Sequence, residues 1–155
     1  MSRLRKLTVA LAAGALVAPA TTGATARSGD FAVGGGKHAG GVHFAFSAHS
    51  GPNGEDPRGE IQLFIAGEMK PAAVTCLIVT GNEAIITATS DAVPGGIVVV
   101  DAVDNGNPAD AIPDLLRGSF EGFIYESPNR PGCFLPVLPP VPVDQGNIVV
   151  KDAAA

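Results

Sequence analysis

The sequence predicts an all-β domain, a single antiparallel β-barrel or β-sandwich of about seven or eight strands. Three observations predict it. Short segments alternate apolar and polar residues, or are rich in β-branched side chains, as strands with a buried face are. The 20 Gly and 13 Pro fall between those segments. No convincing long helix is visible, since no stretch sustains an apolar period of 3.6 residues.

Residues 1–26 read as an export signal peptide. Arg3, Arg5 and Lys6 make a basic start, residues 7–18 carry no charge, and Ala24-Thr25-Ala26 is an A-x-A exit. The apolar run is too short for a spanning helix, which takes about 20 residues. Leu4 separates Arg3 from Arg5, so the general secretory route is expected. A second cut is available after Ala20. Residues 27–41, with Gly34-Gly35-Gly36 and Gly40-Gly41, read as a Gly-rich flexible lead-in. A phosphate loop is rejected there, because Phe31 and His38 stand where Gly and Ser or Thr are needed.

Residues 42–155 form the expected β-domain. Val42, Phe44, Phe46 and Ala48 alternate with His43, Ala45, Ser47 and His49, a half-buried strand. A long turn over 50–59 follows by composition. Residues 60–66 read as a strand with Ile61, Leu63 and Ile65 inward, and 67–71 as a turn. Residues 72–80 (AAVTCLIVT) are β-branched and strand-like. Gly81-Asn82 is a hairpin signal, and 83–89 returns. Pro94-Gly95-Gly96 turns again before the strand 97–103. A loop, with room for one helical turn, covers 104–118. Residues 119–125 and 147–151 complete seven strands. Short links predict a meander from 60 to 103.

Charge and cysteines narrow the setting. Without Arg3, Arg5 and Lys6, the 10 basic residues become 7 against 15 acidic ones, a net of −8. Such a domain suits neither nucleic acid nor anionic membrane, which need Lys and Arg to replace counterions. No other segment is apolar and long enough to span a bilayer. In an oxidising compartment Cys76 and Cys133 can form one internal disulfide. That long loop closure would stabilise the fold by about 4 kcal/mol. Residues 134–143 (FLPVLPPVPV) admit two readings: a polyproline ligand for an aromatic groove, or a wall-hugging connection that caps the core. The second is preferred, since Cys133 would pin its start.

Residues 74–86 resemble V-x-C-L-x-V-x-G-N-x-A-x-I, and 103–108 (VDNGNP) resemble V-x-D-N-G-x-P without the residue between Val and Asp. Cys133 followed by 146–152 is similar to C…G-N-x-x-V-x-D. Together they resemble a family of small secreted bacterial β-domain proteins of unassigned function, over roughly 42–152. The resemblance implies a compact all-β domain and supports the cysteine pair. It carries over no catalytic residue.

Few residues are spaced for chemistry. His43 and His49 share a strand face but lie about 20 Å apart at ~3.3 Å per residue, too far for one metal. Gly118-Ser119-Phe120-Glu121-Gly122 has its Ser one position early for a nucleophile elbow. Ser50 beside His49 fails because strand neighbours face opposite ways. The chain has no Trp and one Tyr, Tyr125, which is poor material for a sugar platform. The strongest candidate is acidic: Asp101, Asp104, Asn105, Asp110 and Asp114. These could supply oxygens to calcium, yet the spacing departs from the known loop, and turn formation is the preferred reading. No cofactor, catalytic residue or metal ligand is expected. The leading reading is a secreted, non-enzymatic binding or cell-envelope-associated module of unknown partner, with an extracellular protein or envelope component as the candidates. The rival is a small secreted hydrolase with a motif-less site, to be favoured by convergent carboxylates or a Ser–His contact.

Overall fold

The structure, a computed structural model, describes residues 29–38, 42–65, 67–106, 112–119 and 122–153. The expected signal peptide and Asp110 lie outside the described residues. The strands are β1 (Phe31–His38), β2 (Val42–His49), β3 (Arg58–Ile65), β4 (Glu68–Thr80), β5 (Glu83–Thr89), β6 (Ile97–Val103), β7 (Leu115–Ser119), β8 (Ile124–Glu126), β9 (Phe134–Pro136) and β10 (Val141–Lys151). Eight of them close an antiparallel barrel in the order β1-β10-β7-β6-β5-β4-β3-β2. The alternatives thus resolve to a barrel. Strands β3 to β6 follow the expected meander, because the turns between them are too short to reach beyond the next neighbour, and β2 and β7 extend it on either side.

The interior is filled by side chains. Phe44, Phe46, Ile61, Leu63, Leu77, Ile86, Val98, Val100, Leu116 and Ile148 form one buried cluster. Alternation sends every second residue of each strand into it. In β4 a bulge between Val74 and Cys76 reverses that alternation. Val74 and Leu77 therefore both enter the core, while Cys76 turns to the outer wall opposite Thr87.

Four local expectations are corrected. Residues 27–41 were expected to be a flexible lead-in, but 31–38 form β1, which pairs with β2 along its whole length and with β10 to close the barrel. The glycines are there for space. Gly34 faces Phe46 and Gly36 faces Phe44 in register. A Cβ on Gly34 would sit 2.7 Å from the Phe46 ring and 3.1 Å from Ile148. The Phe46 ring takes the space that Gly34 leaves, while a Cβ on Gly36 would meet the Gln145 carbonyl of β10. Residues 67–71 do not turn throughout: β4 begins at Glu68, and Pro71 pairs with Gln62. The strand expected over 119–125 is instead Leu115–Ser119, and Ile124–Glu126 leaves the barrel for a separate hairpin with β9. The closing strand is longer than 147–151, beginning at Val141.

Candidate functional site

The β8–β9 hairpin and the proline-rich run after it cross the outer wall of the barrel as a strap. Residues 134–143 therefore hug the wall, but Val137 and Leu138 are exposed, and Val143 is the residue that reaches the core. The strap is tied at several points. Cys133 is bonded to Cys76, with their Cα atoms 5.4 Å apart. The Phe134 amide donates to Thr87 Oγ1 at 2.9 Å. Arg130 donates to the carbonyls of Leu77 at 2.9 Å and Asn53 at 2.7 Å. At the far end Arg117 Nε donates to the Pro139 carbonyl.

Between strap and wall lies a cleft of about 430 Å³, floored by Glu83, Ile85 and Asp101 and bounded by Tyr125 and the strap residues from Leu135 to Pro140. Asp101 is the unusual member. In β6 it alternates with the inward Val100 and Ala102, so it points out through the wall, yet the strap leaves it 4 % exposed. Its Oδ1 is sealed from solvent and has no hydrogen-bond partner. An ionised carboxylate in that setting is costly. Burial pushes the Asp101 carboxyl up to about 7; the Glu83 carboxylate beside it adds to the rise, and Arg117 opposes it. The two carboxyls are close enough to hydrogen-bond to each other. A proton on Asp101, donated to Glu83, relieves the repulsion between the two, as it does for other carboxyls that share a site, but leaves Oδ1 without a donor.

This arrangement links stability to pH. The folded state binds a proton between about pH 4 and 7 that the unfolded chain has released, taking ~3.9 as the unfolded value. The contribution is therefore full below pH 4 and is lost as pH rises through 7. Allowing for solvent screening at the cleft mouth, about 1–2 kcal/mol is at stake. Asp101→Asn, a neutral mimic that can still donate to Glu83, should match wild type at pH 4 and melt higher at pH 8. Melting temperatures across that range check this; parallel curves for the two proteins would contradict it.

The other predicted acidic residues belong elsewhere. Asp114 Oδ1 accepts from the Asn105 amide at 2.9 Å, and its Oδ2 from the Ile148 amide at 2.7 Å. Asp104 Oδ1 accepts from the Gly106 amide at 2.8 Å, and its Oδ2 from the Val150 amide at 3.0 Å. Asn105 donates to the Pro113 carbonyl at 2.7 Å. Strand β7 pairs with β10 only at Val141 and Pro142. Farther along β10, these carboxylates meet amides that no strand reaches. Asp104, Asn105 and Asp114 thus come together as a seam on backbone amides, while Asp101 stands apart on the outer wall. Among the described residues, no group of three or more His, Cys, Asp or Glu is placed to hold a metal ion.

Both signs set for a hydrolase are present in some form. Besides the carboxyl pair, Ser47 Oγ lies 3.1 Å from His49 Nε2 on the exposed face of β2. Glu60, opposite Ser47 in register, accepts from Gln62 instead of orienting the histidine. The backbone amides around Ser47 belong to the ladders with β1 and β3, so they form no oxyanion hole.

Sequence reading missed Glu83, Arg117 and Tyr125 as site residues. The one available signal was Asp101 itself, an acid in the middle of the apolar run IVVVDAV, which needs a partner if both faces are covered. No family model, no curated protein and no solved structure matches the chain.

Proposed function

We propose that this chain is an exported, non-enzymatic binding domain, whose binding surface is the cleft under the strap. The observation that carries the reading is the buried Asp101 oxygen with no partner, held at the floor of an open cleft that mixes carboxyls with aliphatic side chains. Ligand sites are concave and mostly apolar, with a few placed polar groups. The leader-like order of residues 1–26 and the Cys76–Cys133 bond, a pairing suited to oxidising compartments, support export. The resemblance to small secreted bacterial β-domains agrees with it. The matching residues Gly81, Asn82, Asp104, Asn105 and Asp152 work in turns and seams: Asn82 bonds the Asp104 backbone and Asp152 accepts from the Gly81 amide.

The test uses protein secreted by a bacterial host. It should begin at Arg27 or at Thr21. Adding millimolar hexanol should shift the NMR signals of Tyr125, Leu135 and Leu138, with little change on the β2–β3 wall. Secreted protein that begins at Met1, or signals under the strap that do not move, would contradict the reading. The second reading, a small hydrolase, is favoured by the Asp101–Glu83 pair alone. Its mark would be turnover of a chromogenic ester or glycoside that Asp101→Asn abolishes. Carboxyls in mutual hydrogen-bond contact are too close for glycosidase chemistry, which separates them by about 5 Å or more.

A further inference from the structure

We infer that the cleft takes a ligand bearing an ammonium group on an aliphatic stem, the ammonium lying against the Asp101 and Glu83 carboxyls. The inference rests on the cleft being a binding site, as proposed above, and adds the ligand's chemistry.

Charge decides the head group. The charged or titratable groups facing Asp101 are Glu83 from β5, Arg117 from β7 and Tyr125 from the strap. With both carboxyls ionised, the single guanidinium leaves a net charge of −1. One monovalent cation balances that; an anion is repelled, and a neutral ligand leaves a carboxylate buried and uncompensated. Arg117 does not donate to Oδ1 of Asp101, which remains without a donor. Its Nε is committed to the Pro139 carbonyl. An ammonium brings three donors from one point, enough to reach both carboxyls.

The walls decide the rest. A bare divalent ion asks for six or more oxygen ligands, and two carboxyls fall short of that. Beyond the acids the cleft is lined by Ile85, Leu135, Val137 and Leu138, with the Tyr125 ring at the side. An aliphatic stem would bury its methylenes there, at about 0.8 kcal/mol each. Because the ligand displaces one proton, its affinity should fall about tenfold per pH unit below the Asp101 titration near 7.

The chain supplies its own reporter. Tyr125 is the one tyrosine, and there is no tryptophan, so tyrosine emission reads this cleft directly. Full-length mature protein is titrated with hexylammonium, hexanol and hexanoate at pH 8 and pH 5.5. Hexylammonium should give a saturable emission change at pH 8, bind at least tenfold more weakly at pH 5.5, and outcompete the other two. Asp101→Asn should lose at least tenfold in affinity. If that variant fails to fold, Glu83→Gln, at an exposed position, should weaken binding and its pH dependence. Nα-acetyl-lysine methylamide separates two sources of the same chemistry. Binding of both cations points to a lysine side chain, and binding of hexylammonium alone points to a free amine. Equal binding of hexanol and hexylammonium would overturn the inference while leaving the binding site standing. A cleft that responds to none of the probes would overturn both.

Discussion

Replacing Cys76 and Cys133 together by alanine is expected to lower stability by about 4 kcal/mol, because the bond closes a loop 57 residues long. For a domain of this size that corresponds to a fall in melting temperature of more than ten degrees. The pair is changed together so that no free thiol is left. A second effect should accompany the first. The strap would hang on the Phe134–Thr87 and Arg130 contacts and on Arg117 alone. Water would then reach Asp101 and remove the burial that raises its carboxyl. The double variant should therefore lose the stability change between pH 4 and 7, as well as much of its stability. Urea unfolding of the oxidised protein and the variant at both pH values measures the two effects. A variant within about 1 kcal/mol of the parent would show that the bond is not what holds the strap.

The second large effect is expected at Asp114. Its carboxylate bonds the buried Ile148 amide and the Asn105 amide. Hydrogen bonds to a charged group contribute about 1.5–3 kcal/mol each, and a stranded buried donor adds its own desolvation cost. Asp114→Ala should cost about 3 kcal/mol or more, with the loss centred on the β7–β10 seam. Asp114→Asn keeps one acceptor and should cost roughly half as much. Hydrogen exchange at Ile148 separates this seam role from a general loss of packing, since that amide should become the first in β10 to exchange. If Asp114→Ala and wild type unfold at the same urea concentration, the seam assignment is wrong. A calcium role would appear differently, as a stabilisation by added calcium that the alanine variant lacks.

The two carboxylate sites differ in how far the linear chain announces them. Asp104, Asn105 and Asp114 stand in a Pro- and Gly-bearing stretch, where acids bond nearby backbone, and turn chemistry was the preferred reading. Their amide partners at Ile148 and Val150 were not visible, because those lie on a strand more than thirty residues away. Asp101 is close to the same loop in sequence. It belongs instead to the wall, three residues inside β6, and its companions Glu83 and Arg117 come from the strands on either side. Nothing local in the chain brings those three together.

The strands β2, β3, β5 and β6 follow from the sequence itself, because an alternating or β-branched segment bounded by turn residues has one favourable backbone state. The cysteine pair was equally legible, since two cysteines in one chain allow one internal bond. The tertiary structure alone decided the rest. It made a strand of a glycine run, because the Phe46 ring on the adjacent strand needs a neighbour without a side chain at Gly34. It chose closure over a sandwich through the β1–β10 pairing, a contact between the two ends of the domain that no local pattern encodes. It also laid the proline-rich run over Asp101, turning an outward carboxyl on a strand into a buried one. Local sequence determines which backbone states are cheap, whereas burial depends on what the rest of the chain places on top.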